Sequence, residues 1–100
     1  MGDTALIKKI AASTLLRRGV AWEPGATLAQ QAEEAAAAAI GLLRGIAGNQ
    51  ALPFSDDEDF DLAVIACWYL MDNRRAEFMV EYKSELLYLR AREAVADAGV

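Results

Sequence analysis

The chain has no histidine, one cysteine and two prolines among its 100 residues. Without histidine, the commonest general base and metal ligand is missing, and Ser-His-Asp or Cys-His catalysis is excluded. Zinc would find neither an imidazole nor a second thiolate. The lone Cys67 has no intrachain disulfide partner, which fits a reducing compartment. It sits inside an apolar run, where burial raises a thiol's pKa and blocks access, so it reads as a core residue rather than a nucleophile. Glycine is present at seven residues, but Gly41, Gly45 and Gly48 match neither a Walker nor a dinucleotide-binding spacing. The net charge of −5 lacks the basic excess needed to wrap nucleic acid. No run reaches the roughly 20 apolar residues of a membrane span. The opening ALIKKIAASTLLRRG is too interrupted by charge for a secretory core. Met1-Gly2 resembles an acylation start, but position 6 is Leu where Ser or Thr is needed. These features predict a soluble, cytoplasmic protein.

What is abundant is alanine, 21 residues of it, within an apolar fraction of 55%. Alanine favours helix but fills little volume, so the core bulk falls to Leu, Ile, Trp, Tyr, Phe and Met. One hundred residues make one domain, and the pattern predicts an all-α fold, a small bundle of about four helices around a central apolar helix. The first helix spans about Asp3 to Arg18, with Leu6, Ile7, Ile10, Thr14 and Leu15 near one face and Arg17 and Arg18 at the negative end of its dipole. Trp22 pins the following loop to the core, or else anchors a partner. The second helix opens at Thr27, where Thr27–Gln30 has capping-box spacing. Leu28, Ala32, Ala36, Ile40, Leu43 and Ile46 or Ala47 form its stripe. Ala37, Gly41 and Gly45 make a second line that lets another helix approach closely. Gly48-Asn49 ends it.

Ser55 to Glu58 has the spacing of another capping box, followed by the ten apolar residues Leu62 to Met71. That run is predicted to be buried on nearly every side and to stop near Asp72-Asn73. A fourth helix is predicted from about Arg75 to Ala96, with Phe78, Tyr82, Leu86 and Leu89 as its buried stripe.

Charge is unevenly spread. Lys8, Lys9, Arg17 and Arg18 face a single acid in residues 1–20, while Asp56, Asp57, Glu58, Asp59 and Asp61 have no base among them. A basic end and an acidic end suit head-to-tail contacts between copies, although solvated helix ends would look the same. The acidic cluster lacks the glycine and distal glutamate of a calcium loop and runs straight into a helix, so it reads as helix capping rather than a metal site. Glu77, Glu81 and Glu85 recur every four residues, a like-charge row that costs a few tenths of a kcal/mol per pair and gains from a basic partner surface. Lys83, Arg90 and Arg92 lie near the same surface.

The stretch DLAVIACWYLMDNRRAEFMVEYKSELLYLRARE resembles the C-terminal half of head–tail connector (adaptor) proteins of tailed bacteriophages and prophages. The likeness is carried by Trp68-Tyr69-Leu70 at the end of an apolar helix, by the polar break Asn73-Arg74-Arg75, and by Phe78, Tyr82, Leu86 and Leu89 in the helix that follows. The first half agrees only in layout. The resemblance implies a structural virion protein of the neck, made in the host bacterial cytoplasm. Such proteins form a ring of about a dozen copies between the portal protein and a tail or stopper protein, with genome DNA passing through the opening. It implies no catalytic residue, cofactor, membrane contact or sequence-specific DNA binding. Arg17, Arg18, Asp56, Asp57, Asp59, Glu77, Glu81, Glu85, Arg90 and Arg92 are the candidate subunit and partner contacts, with the portal expected on the last helix and the C-terminal tail. A reading of another class is a small acidic module that regulates a host or phage protein through a one-to-one complex. An enzyme ranks below both, for want of a convergent polar set.

Overall fold

The computed structural model describes residues 3–98. Met1-Gly2, weighed above as an acylation start, and the last two residues of the C-terminal tail lie outside that range. Five α-helices account for the described secondary structure: α1 Thr4–Arg17, α2 Thr27–Ala47, α3 Asp57–Met71, α4 Arg75–Glu81 and α5 Lys83–Ala98. The all-α expectation is met, with five helices in place of four.

The extra helix comes from Tyr82. The predicted last helix bends there (φ −107°, ψ 23°), although Tyr82 N–H still donates to Phe78 O and Leu86 N–H to Tyr82 O, each at 3.0 Å. The bend lets one apolar stripe serve two neighbours. Phe78 and Tyr82 stack on each other and meet Tyr69, near the end of α3, tilted and edge-on respectively, while α5 turns to pack against α2.

Two helices share the centre. α2 packs on α1, α3 and α5, and α3 packs on α1, α2 and α4. The core is built from Ile10, Ala11 and Leu15 of α1, Ala32, Ala36, Ala39, Ile40 and Leu43 of α2, and Ala63, Val64, Ala66 and Cys67 of α3. Small alanine faces on α2 let its neighbours come close, and the bulk is supplied from those neighbours. The run Leu62–Met71 is not enclosed all round: Leu62, Ile65, Trp68, Tyr69, Leu70 and Met71 are half-buried. Leu62 and Ile65 open onto a groove beside α5, which makes its helix contacts with α2 and α4 instead. The second half of the chain is therefore not a close antiparallel pair of helices.

Local predictions divide in the same way. Gly48 ends α2 in the left-handed region (φ 70°), and the Asn49 N–H reaches back to Arg44 O at 3.1 Å. Trp22 is half-buried against the core, as its pinning role requires. Neither capping box forms: the N-caps are Ala26 and Asp56, and neither makes a side-chain cap bond. Helix starts one residue later than Ser55-Asp56 would place it, because three further acids already favour the dipole's positive end. Leu28 is exposed. So is the line Ala37, Gly41, Gly45, where an added Cβ on either glycine would touch nothing. No described helix uses that line for close approach.

Candidate interaction surface

Several sequence-selected charges hold the fold together. Arg92 Nη1 and Nη2 donate to the two carboxylate oxygens of Asp59 at 3.0 and 2.9 Å. The Asp59 side chain is only 9% exposed, so this fork ties α5 to the start of α3 through a largely desolvated pair. Arg92 also meets Glu93 at 3.0 Å, and Asn49 Nδ2 donates to Glu93 at 2.8 Å. The guanidinium of Arg92 is pushed above its already high range, chiefly by Asp59. Arg17 pairs with Asp61 at 2.7 Å in solvent. Arg18 reaches Trp68 O at 2.9 Å and Asp72 at 3.0 Å, with its guanidinium 4.5 Å from the Trp68 ring centre.

Glu77, Glu81 and Glu85 all lie exposed. Two of them find partners at the surface: Arg74 Nε donates to Glu77 at 2.8 Å, and Tyr69 Oη donates to Glu81. Glu85 remains exposed, as do Asp56, Asp57 and Arg90. A cross-chain clamp went unnoticed in the sequence. Arg44 Nη1 and Nη2 donate to Asp3 at 2.8 and 3.1 Å, and its Nε and Nη2 donate to Leu52 O at 3.0 and 2.9 Å. No local spacing reveals a contact spanning 41 residues.

Two grooves flank α5. One, of about 570 Å³, lies between the end of α2 and the α4–α5 arm, with Gly45 and Gly48 in its floor and Met79, Lys83, Leu87 and Arg90 along its side. The other, of about 450 Å³, lies on the open side of α3, with Leu62 and Ile65 in its floor and Glu58, Asp61, Glu85 and Tyr88 around it. Between them α5 exposes apolar bulk: Leu87 is 55% exposed, Tyr88 63% and Val95 72%, continued on α4 by Val80 at 75%. Elsewhere among the described residues only Leu16 and Leu28 are large, apolar and exposed. Of these surface residues, Met79, Val80, Leu87, Tyr88 and Val95 were missed in the sequence, although Met79, Lys83, Leu87 and Arg90 recur at offsets of four, four and three, a single helix flank.

The charged contacts set a pH profile. The Asn49 hydrogen bond, with help from Arg92, holds Glu93 below its usual 4.5. The Arg74 hydrogen bond lowers Glu77, and the Arg44 hydrogen bond lowers Asp3 below 3.8. Carboxylates lowered by folding stabilise the fold fully above their unfolded values and lose that contribution as pH falls through the folded ones. Tyr69 is pushed up to about 12, chiefly by its bond to Glu81. Its contribution is complete below its usual 10.0 and disappears as pH rises from there through about 12. With no histidine between these limits, thermal melts should give a plateau in Tm from about pH 5.5 to 8.5, falling below about pH 4.5 and above about pH 10. A Tm step near pH 6.5 would contradict this account.

No helix among the described residues is long and apolar enough to cross a membrane. No protein-family model, curated protein or solved structure matches this chain.

Proposed function

We propose that this chain is a structural subunit of the neck of a tailed-phage or prophage virion. In this reading it is a head–tail connector that forms a ring of about a dozen copies between the portal protein and a tail or stopper protein. The observation that carries the reading is the apolar surface of the α4–α5 arm. Val80, Leu87, Tyr88 and Val95 are all more than half exposed on one pair of consecutive helices. A domain with an otherwise closed core leaves such a strip open where another protein will cover it. The net charge of −5 supports the same role: a negative ring does not grip the genome that must slide through it. The chain then acts by assembly, with no catalysis and no cofactor. It is made in the host bacterial cytoplasm and ends in the virion neck.

The rival reading is a regulatory module presenting an acidic helix; its row Glu77, Glu81 and Glu85 is exposed, although Glu77 and Glu81 are each bonded to a neighbouring side chain. Cryo-electron microscopy of the parent virion tests the proposal. The five-helix chain is expected in repeated copies at the neck between portal and tail, and a neck reconstruction without it would sink the assignment. Portal, capsid and tail genes beside the coding sequence are the cheaper expectation.

A further inference from the structure

The two flanks of α5 carry opposite charge over apolar floors. At 100° per residue, Lys83, Leu87 and Arg90 fall on one side of the helix, and Glu85 and Tyr88 on the other. Lys83 and Arg90 are exposed and meet no carboxylate partner among the described residues. Across the helix, Glu58 and Glu85 are likewise exposed without a base, beside an Asp61 already shared with Arg17. Two unpaired cations on one flank thus correspond to two unpaired anions on the other. Each flank adds apolar surface: Met79 and Leu87 with the cations, and Leu62, Ile65 and Tyr88 with the anions.

We infer that these flanks are the two halves of one contact: the Met79–Lys83–Leu87–Arg90 flank of one copy seats in the acid-rimmed groove between α3 and α5 of the next. The occupant is a second copy of this chain because the chain itself supplies the complementary charge pattern. The halves lie on opposite sides of α5, so using one leaves the other free. Such a heterologous contact propagates into a ring or filament rather than stopping at a dimer. The oppositely charged rims set the register, and the apolar floors lose water on contact. The inference rests on the ring reading given above and specifies which surfaces build the ring.

The test uses charge reversal on the full chain. In low salt at millimolar concentration, sedimentation of the wild-type protein should show association beyond dimer that weakens as salt is added. Lys83→Glu with Arg90→Glu makes both flanks acidic, and Glu58→Lys with Glu85→Lys makes both basic. Each pair alone should weaken association roughly tenfold or more. Mixed one to one, the two variants should associate again in alternation, because each reversed flank then meets a reversed groove. Recovery in the mixture also establishes that both variants are folded. A wild-type chain that stays monomeric or stops at a dimer overturns the inference. So do variants that associate like the wild type, and so does a mixture that fails to recover. The connector assignment is read separately at the neck of the virion: copies there with unaffected variants sink only this contact, and charge-swap association without copies at the neck sinks only that assignment.

Discussion

Replacing Phe78 by alanine should destabilise the protein by about 3–5 kcal/mol, the usual cost of emptying a large buried aromatic site. Phe78 is fully buried and is the only buried residue of α4. Its ring stacks on Tyr82 at 5.3 Å and tilts against Tyr69 at 5.8 Å. The Tyr69 ring closes the cavity poorly, since its hydroxyl is held at the surface by Glu81. A domain of this size has a total stability of roughly 5–15 kcal/mol, so the variant approaches the limit of folding. The loss should also be local. With a single buried anchor gone, the α4 amides should exchange with solvent well before those of α2, whose buried residues run from Ala29 to Ala47. Urea unfolding combined with hydrogen exchange checks both parts. A loss under about 1 kcal/mol, or uniform exchange across the chain, would show that something else docks α4.

Arg92→Met should cost about 3 kcal/mol, because it strands the Asp59 carboxylate in a nearly dry site. In a domain of this size that lowers Tm by roughly 10–20 °C. Adding Asp59→Leu to Arg92→Met should recover much of the loss, since removing both partners of a buried pair is milder than removing one. A double substitution no better than the single would show that packing of the arginine stem matters and its charge does not.

The two substitutions also mark how far the sequence could be read. The position of Phe78 was legible: Phe78, Tyr82, Leu86 and Leu89 recur at helical spacing, and Phe78, Leu86 and Leu89 are buried while Tyr82 is half-buried. The role of Arg92 was not. It belongs to a charged stretch that reads as exposed helix, and its partner lies 33 residues earlier. Asp59 likewise stood among acids that look alike in sequence, yet it turns inward while Asp56 and Asp57 stay in water. The glutamate row is exposed as its spacing suggests, but the bond from Tyr69 to Glu81 joins residues 12 apart on different helices, which no local spacing shows.

Composition and periodicity alone determined that this chain is helical, roughly where α1, α2 and α3 begin and end, and most of the stripe that α1, α2 and the α4–α5 arm turn inside. Those properties follow from backbone propensity and from interactions within a few residues along the chain. Tertiary structure alone decided that α5 leans on α2 instead of closing over α3, and with that which carboxylates find arginines and which remain on open flanks. Ion pairing and groove shape depend on side chains tens of residues apart meeting within about 3 Å. Local spacing carries no information about such distances until the helices have packed.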